Sequence, residues 1–200
     1  MDLVGGMMAL ILFSPVMLVT AILIKATSPG PVIFCQERVG LHNKPFKMYK
    51  FRSMAVQSAA KEKSQWTTPG DPRVTPIGRF IRKTSIDELP QLFNILMGDM
   101  SFIGPRPERP EIIAQYVEQM PEFVFRMKVK AGLAGYAQVY GKYNTTSYDK
   151  LKLDLTYIRN YSLLLDLKLI LMTPKIMMLK ESTEGVADNG KASDSRHPGV

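Results

Sequence analysis

A run of twenty-two residues without a single charge constrains the fold of this chain more than any other feature. It covers residues 3–24, reads LVGGMMALILFSPVMLVTAILI and ends at Lys25. A helix of this length extends about 33 Å, which matches the roughly 30 Å hydrocarbon core of a bilayer. A cleaved signal peptide fits less well, because no basic segment precedes the run and its apolar part exceeds about 15 residues. The run therefore predicts a membrane helix.

Ser14 and Pro15, in the middle of this run, predict a bend. Proline lacks an N–H and crowds the carbonyl four residues back, while the serine hydroxyl can bond a backbone group that is released in this way. Two interpretations follow. In the first, two half-helices enter and leave the membrane by the same face, so the protein is monotopic. In the second, which the residues alone favour slightly, a kinked helix spans the bilayer.

Positive charge is concentrated in the first half of the chain. Net charge is +8, and residues 25–83 hold twelve Lys or Arg against three Asp or Glu. Such a basic segment predicts an anionic partner such as phosphate, nucleic acid or lipid headgroups. The single Cys35 excludes an internal disulfide, and the two distant histidines, His42 and His197, exclude a structural zinc site.

The remaining patterns predict a helix-rich α+β protein with a small β-hairpin. Alternating segments at 32–39 and 46–54 predict the hairpin, and the Gly-punctuated segment 131–141 predicts a turn and a strand. Residues 55–76 are polar and predict a long loop that acts as a lid. Apolar spacing predicts helices at 76–83, from about 86–88 to 97, at 108–129 with an interruption near Pro121, and at 147–160.

Residues 163–179 are too apolar for an ordinary surface helix, yet they contain three charged residues. They fit a helix lying in the membrane interface, and a core helix is equally allowed. The chain thus divides into a bent membrane helix at 1–27, a folded domain at 28–180 and a disordered tail at 181–200.

Asp87 and Glu88 are the strongest candidates for chemistry. They precede Pro90, which is tolerated only in the first turn of a helix, so both carboxylates are expected at a helix N-terminus, where an ionised carboxylate is favoured. Adjacent carboxylates beside several cations suit a metal-assisted reaction on phosphate, and an ionised Asp can form an aspartyl-phosphate. The alternative is that Asp87 is an ordinary N-cap and Glu88 an acid of the first turn.

Four basic residues are candidate phosphate ligands. Arg106 lies between two prolines and would present its guanidinium from a stiff loop, and Arg82 precedes the carboxylates. Lys50 and Arg52 lie on one face of the predicted hairpin. The alternative is that these side chains are ordinary surface cations that contact only water. Asp154 is a weaker candidate for a ligand, because a salt bridge to a neighbouring lysine explains it better.

Several motifs together resemble the bacterial sugar transferases, the monotopic polyprenyl-phosphate phosphoglycosyl transferases. These motifs are the Ser14-Pro15 bend, K-F-R-S-M at 50–54, S-I-D-E-L-P-Q-L-F-N-I-L-M-G-D-M-S at 85–101, I-G-P-R-P-E-R-P at 103–110 and G-L-A-G-Y-A-Q-V at 132–139. The resemblance covers about residues 2–180. It shifts the interpretation of the bend towards a re-entrant helix, with the catalytic domain on the cytoplasmic face of the bacterial inner membrane.

The resemblance also implies a reaction. Asp87, which is also the expected ligand of Mg²⁺, attacks the β-phosphorus of a UDP-sugar, UMP leaves, and a polyprenyl phosphate, expected to be undecaprenyl phosphate, accepts the phosphosugar. This is the first membrane step of glycan assembly. Glu88 is the partner carboxylate, and Arg82, Arg106, Lys50 and Arg52 bind substrate. The partners are the UDP-sugar, the lipid and the bilayer but no nucleic acid, and a homodimer is compatible with the sequence. Members of the family usually carry a basic stretch before the position of Asp2-Leu3, and larger members have a further membrane domain upstream, so a fragment of a larger protein is compatible with the sequence.

Three other functions compete with this one. A nucleic-acid-binding protein explains the basic segment but not the uncharged run. A non-catalytic membrane scaffold leaves Asp87 and Glu88 unneeded. A polyprenyl-phosphate hydrolase would release inorganic phosphate instead of UMP.

Overall fold

The computed structural model describes residues 1–55, 71–141 and 145–178, and it shows a helix-rich α+β fold with small sheets. The helices are α1 Asp2–Thr27, α2 Pro76–Lys83, α3 Gln91–Met97, α4 Pro110–Gln119, α5 Tyr136–Tyr140, α6 Ser147–Arg159 and α7 Leu163–Met178. The strands are β1 Ile33–Val39, β2 Pro45–Phe51, β3 Met100–Ile103 and β4 Ala131–Ala134. Most of the predicted lid and the whole predicted tail lie outside the described residues.

The predicted β-hairpin is confirmed. Strands β1 and β2 pair antiparallel, with Cys35 opposite Tyr49 and Phe34 opposite Lys50. The connection is a short 3₁₀ turn, Leu41–Asn43, in which His42 and Asn43 adopt left-handed backbone angles. Asparagine tolerates this conformation better than most residues, so it suits a tight turn. The hairpin fixes the direction in which Lys50 leaves the sheet.

A second sheet, which the sequence analysis missed, consists of β3 and β4 paired in parallel. Gly104 and Gly132 lie where the two segments of the chain approach most closely. A Cβ on either glycine would overlap backbone atoms of the other segment. Glycine is therefore required at both positions for this approach. The pairing of β3 with β4 connects the segment that follows Asp87 and α3 to the C-terminal half of the domain.

Two helix predictions need correction. Helix α3 begins at Gln91, later than expected, and a separate 3₁₀ turn, Ile86–Glu88, carries the two carboxylates. The strand predicted within 131–141 is present as β4, but residues 136–140 form helix α5. Their aromatic and β-branched side chains favour a strand locally, but Gly135 ends β4 and starts the helix, and tertiary packing outweighs the local preference. The predicted interruption near Pro121 is confirmed, since a 3₁₀ segment, Pro121–Lys128, follows α4.

Helix α1 continues across Pro15 as one helix of 26 residues. Pro15 cannot donate a hydrogen bond to the carbonyl of Ile11, four residues earlier. The Ser14 hydroxyl donates to that same carbonyl at 2.9 Å. The expected compensation by serine is therefore present, and it gives the Ile11 carbonyl a hydrogen-bond partner.

One narrow face of α1 packs on the rest of the protein along its whole length. Near its start, Gly6 lies against Leu96, and near its end the fully buried Ile24 packs with Phe51 and Ile81. The N-terminal end is also held by Asp2, whose carboxylate accepts hydrogen bonds from the Ser101 hydroxyl and the Phe102 N–H. The remaining faces carry apolar side chains that are more than half exposed: Leu3, Val4, Met7, Met8, Ile11, Leu12, Leu18, Val19 and Ile22.

Asn94 connects α3 to strand β2. Its side chain is fully buried, its Oδ1 accepts from the Tyr49 N–H at 3.0 Å, and its Nδ2 donates to the Lys47 carbonyl at 2.8 Å. The amide thus provides hydrogen-bond partners for two backbone groups at the outer edge of β2, as a neighbouring strand would. It also fixes the position of Lys50 relative to the turn that precedes α3.

We expect Asn94→Leu to lower the free energy of unfolding by about 3 kcal/mol, because two backbone groups lose their partners. Chemical denaturation of the purified protein measures this loss. The control is Asn160→Leu, which removes an exposed asparagine at the end of α6. Equal losses for the two variants would contradict the structural role assigned to Asn94.

Candidate active site

The 3₁₀ turn Ile86–Glu88 carries both candidate carboxylates between α2 and α3. Ser85 enters the turn with a left-handed backbone (φ 55°). The N-cap position of α3 is Pro90, and no side chain caps that helix. Asp87 is therefore not an N-cap of α3, which removes the ordinary structural explanation of this residue.

Glu88 is held by two cations. Its Oε1 lies 2.9 Å from Lys50 Nζ and 2.6 Å from a terminal nitrogen of Arg106. Burial alone would raise the pKa of Glu88, but the charges of Arg106 and Lys50 outweigh burial and hold the pKa far below its usual range. Glu88 is therefore ionised at any physiological pH. Its charge is used to hold the two cations in place.

Asp87 has a different environment. It is only 9% exposed, and within the described part of the chain its carboxylate accepts no hydrogen bond. Burial raises the pKa of Asp87 to about 6, and the adjacent negative charge of Glu88 adds to the rise. Three cations oppose it: Lys50, Arg82 and Arg106. Near pH 7 the group is mostly ionised, weakly solvated and without a hydrogen-bond donor among the described residues, which are the properties of a nucleophile.

Arg106 is presented by a segment whose backbone is extensively bonded. The carbonyl of Pro105 accepts from the Gly132 N–H, that of Arg106 from Arg126, that of Pro107 from Arg38, and that of Glu108 from the Val39 N–H. Four consecutive carbonyls are thus fixed, and the two prolines restrict the backbone further. These bonds restrain the segment in addition to the prolines, and the stiffness of the loop stays a prediction.

Lys50, Asp87, Glu88 and Arg106, which are distant in sequence, thus form one cluster. It combines an unpartnered buried carboxylate with two cations that a second carboxylate orients. The Arg106 side chain is 43% exposed, so its other donors are open to a ligand. Guanidinium and ammonium groups in this arrangement suit the binding of phosphate oxygens.

Comparison with known proteins decides the family. The model of a family described as "Bacterial sugar transferase" matches residues 1–180. The chain belongs to this family. It is 46% identical over 181 residues to the UDP-N-acetylgalactosamine-undecaprenyl-phosphate N-acetylgalactosaminephosphotransferase of Aeromonas hydrophila, covering 89% of this chain and 43% of that protein.

Two further relatives of this bacterial sugar transferase differ in length. The UDP-glucose:undecaprenyl-phosphate glucose-1-phosphate transferase of Escherichia coli is 44% identical, and the match covers 86% of this chain and 38% of that protein. The uncharacterized sugar transferase EpsL of Bacillus subtilis is 39% identical, with 92% of this chain and 88% of that protein covered. The chain therefore spans less than half the length of the two relatives whose names state a reaction.

The other predicted site residues of this bacterial sugar transferase lie in different positions. Arg82 is close enough to lower the pKa of Asp87. Arg52 is not brought into the cluster: it is buried, and its guanidinium donates to the Ser28 carbonyl and hydroxyl, each at 2.8 Å, and to the Pro29 carbonyl. These groups follow the end of α1. Arg52 therefore connects the end of that helix to β2, while its predicted role in substrate binding has no contact in support.

Two arginines near the cluster were not predicted from the sequence. Arg38 and Arg126 bond the backbone around Arg106, and Asp154 pairs with Arg126 at 2.7 Å instead of with a neighbouring lysine. No motif marked these arginines. One sequence signal was available: Asp154 lies on the same apolar face of α6 as Leu151, and a carboxylate on a buried face indicates a buried cationic partner.

The donor set bears on the expected Mg²⁺. Among the described residues no group of three or more His, Cys, Asp or Glu side chains is placed to hold a metal ion. Mg²⁺ is commonly bound by one or two carboxylates together with substrate phosphates. The unpartnered oxygens of Asp87 fit such a shared site, whereas Glu88 is committed to Lys50 and Arg106.

Proposed function

We propose that the protein transfers a sugar-1-phosphate from a UDP-sugar to a polyprenyl phosphate, undecaprenyl phosphate in the first instance, and releases UMP. The observation that carries the proposal is the cluster itself: a buried carboxylate that accepts no hydrogen bond within the described residues, beside two cations held by Glu88. The names of the two longer relatives state undecaprenyl-phosphate sugar phosphotransferase reactions, which supports the same chemistry here. We place this step at the start of glycan assembly on lipid.

In the first step, a carboxylate oxygen of Asp87 bonds to the β-phosphorus of the donor. The bond between that phosphorus and the oxygen bridging to the α-phosphate breaks, and UMP leaves with the bridging oxygen and its electron pair. Asp87 then carries the phosphosugar as an acyl phosphate. Burial favours this attack, because a weakly solvated carboxylate is more nucleophilic than one surrounded by water.

In the second step, a phosphate oxygen of the polyprenyl phosphate attacks the same phosphorus. The bond to Asp87 breaks, its carboxylate is regenerated, and the polyprenyl diphosphate-sugar leaves. Arg106 and Lys50 lie where positive charge offsets the charge of the phosphates, and Glu88 keeps them oriented between turnovers. Arg82 adds positive charge on the side of α2.

Mg²⁺ fits this site through Asp87 and the phosphates of the donor. When bound, it supplies positive charge that lowers the repulsion between a carboxylate and a diphosphate. Asp87 is the one protein ligand that we assign to it, because Glu88 is already paired with Lys50 and Arg106.

We further propose that α1 bends at Ser14-Pro15 when it enters the bilayer, so that it is a re-entrant helix and the protein is monotopic. Within the described residues α1 is the one helix long and apolar enough to cross a membrane, with a mean hydropathy of 2.6 over its most apolar window. At about 39 Å it is longer than the hydrocarbon core. However, Asp2 at its start and Ile24 near its end both contact the same domain. A helix that spanned would carry those contacts to opposite faces of the membrane.

Exposed apolar side chains on other helices support an interfacial position of the domain. Helix α7 has one face in the core, where Leu169 is fully buried, and its other face carries leucines that are at least half exposed: Leu163, Leu164, Leu167 and Leu171. Phe80 of α2 and Phe93 and Met97 of α3 are also exposed. We propose that these side chains enter the headgroup region of the cytoplasmic leaflet, where soluble UDP-sugars are available.

The topology gives a direct prediction. An epitope ahead of Met1 and the exposed Cys35, which follows α1, should both be accessible from the cytoplasmic side of membrane vesicles. Antibody binding and an impermeant maleimide measure the two sites, with inverted and right-side-out vesicles as mutual controls. If the epitope and Cys35 were accessible from opposite sides, α1 would span the membrane and the monotopic proposal would be wrong.

The reaction is tested by UMP release from a panel of UDP-sugars by purified protein with Mg²⁺, with and without undecaprenyl phosphate. We expect continuous UMP release that depends on the lipid and on one donor sugar. Release of inorganic phosphate from the lipid without UMP would favour the hydrolase. Turnover of neither kind by folded protein would favour a scaffold, and salt-sensitive RNA or DNA binding would favour a nucleic-acid-binding protein. A homodimer remains a prediction that the same sample tests by light scattering.

A further inference from the structure

A buried ion pair lies beside the active-site cluster and has no part in the proposed chemistry. Arg126, in the 3₁₀ segment Pro121–Lys128, places its Nε 2.7 Å from Oδ2 of Asp154 on α6. The two side chains are only 10% and 3% exposed. Burial raises the pKa of Asp154 although Arg126 opposes that rise. An ion pair this buried is weak evidence for a purely stabilising role, because desolvation offsets most of its attraction.

Arg126 also makes a second, directed contact. A terminal nitrogen of its guanidinium donates to the backbone carbonyl of Arg106 at 3.0 Å. The same guanidinium lies 4.6 Å from the centre of the Phe123 ring, which supports its plane. One rigid group is thus fixed by a carboxylate, an aromatic ring and the backbone of a candidate phosphate ligand.

Arg106 is therefore held from two ends. Its guanidinium contacts Glu88 at 2.6 Å, and its backbone is bonded by Arg126. An arginine side chain has several rotatable bonds, so the position of its guanidinium depends on how well its backbone is fixed. A binding group must be held to within about 0.5 Å to act at full strength.

We infer that Arg126 is a positioning residue for Arg106, with Asp154 as the partner that orients Arg126. This inference rests on the proposed function, in which Arg106 binds the phosphates of the donor. It assigns to the Arg126–Asp154 pair the task of keeping that guanidinium in place. Arginine is required because its planar fork serves two acceptors in different directions, whereas a lysine ammonium would keep the ion pair and lose the fixed second contact.

The expected effect is moderate because other contacts remain. Arg38 donates to the Pro107 carbonyl at 3.0 Å, and the Val39 N–H donates to the Glu108 carbonyl at 3.0 Å. These bonds still restrain the segment when Arg126 is replaced. We therefore expect Arg126→Lys to raise the KM for the UDP-sugar about tenfold with little change in kcat, since an interaction equal in ground and transition states affects binding alone.

A double-mutant cycle distinguishes positioning from structural support. Arg126→Lys, Arg106→Lys and the double variant are compared with the unchanged protein, both in KM for the UDP-sugar and in Kd for UDP. We expect Arg126→Lys to weaken both about tenfold in the original background and less than about twofold once Arg106 is replaced. Lys128→Arg, an exposed exchange two residues away, is the matched control and should change neither value.

Two results would overturn the inference: unchanged KM and Kd in Arg126→Lys, or the same tenfold weakening in both backgrounds. Should Arg126→Lys fail to fold, the double variant Arg126→Gln/Asp154→Asn removes both charges together and replaces it in the cycle. We again expect about tenfold weakening with Arg106 present and less than about twofold with Arg106→Lys. The Kd for UDP does not require turnover. Protein that binds UDP but releases no UMP would contradict the proposed function, while the cycle in Kd would still decide the role of Arg126.

Discussion

Asp87→Asn should abolish UMP release while making the folded protein more stable at neutral pH. Loss of the nucleophile is expected to reduce turnover by about 10⁴-fold or more, because the adjacent carboxylate of Glu88 is already held by Lys50 and Arg106. The gain in stability follows from the environment of the ionised group. Burial and Glu88 raise the pKa of Asp87 to about 6, above its ordinary value of 3.8, so keeping the charge destabilises the folded state.

The sign and the pH range follow from that shift. When a folded-state pKa is raised, the folded state binds a proton more tightly, and stability is lost as pH rises from the unfolded pKa through the folded one. The loss for Asp87 thus develops between about pH 4 and pH 6 and persists above it. The Asp87→Asn variant lacks this loss, so it should gain about 2 kcal/mol at pH 7.5 and progressively less as pH falls towards 4.

Chemical unfolding at pH 7.5 and pH 5 measures this difference, and circular dichroism checks the fold. Glu118→Gln is the matched control, because it removes one exposed carboxylate and should change neither turnover nor its pH dependence. Full activity in Asp87→Asn would remove Asp87 as the nucleophile. A variant less stable than the original protein at pH 7.5 would contradict the buried, unpartnered carboxylate.

Glu88→Gln should lower kcat on the order of 10²-fold and shift the acid limb of the pH profile to lower pH. The carboxylate of Glu88 contacts both Lys50 and Arg106, so a neutral amide leaves the two cations without a shared anion. Their orientation towards the phosphates is lost. At the same time, the negative charge that raises the pKa of Asp87 disappears while the opposing cations remain.

Asp87 should therefore ionise at lower pH in this variant than the value of about 6 in the original protein. The profile of kcat/KM against pH reports the ionisation of the free enzyme and measures the shift. Glu111→Gln, an exposed change in the first turn of α4, should leave the acid limb in place. An acid limb that moved to higher pH in Glu88→Gln would contradict the electrostatic coupling between the two carboxylates.

Local sequence chemistry predicted the features that depend on neighbouring residues. The alternation of residues 46–54 predicted strand β2, which the structure shows at Pro45–Phe51, and the Ser14-Pro15 pair predicted the hydroxyl bond to a released carbonyl. The Pro-Arg-Pro sequence around Arg106 likewise predicted a restricted backbone at that point. These features need only the periodicity of a strand, the missing N–H of proline or the restriction of a backbone between two prolines.

Contacts between distant segments were not predictable in this way. Lys50 and Arg52 share a strand face by alternation, yet β2 ends at Phe51, and beyond that residue the alternation no longer determines direction. Arg52 therefore contacts the end of α1 instead of the cluster. The β3–β4 pair and the Arg126–Asp154 pair join segments about 30 residues apart, and a single sequence carries no signal for such pairing.

The most direct test of the central claim is the mass of the Asp87 peptide after the protein is mixed with its UDP-sugar and Mg²⁺ in the absence of lipid. A covalent mechanism predicts release of about one UMP per protein molecule and a peptide heavier by one phosphosugar, which undecaprenyl phosphate then removes. Asp87→Asn should show neither UMP nor adduct. UMP that forms only when both substrates are present, with no mass change on Asp87, would contradict the covalent account and indicate direct transfer between donor and lipid.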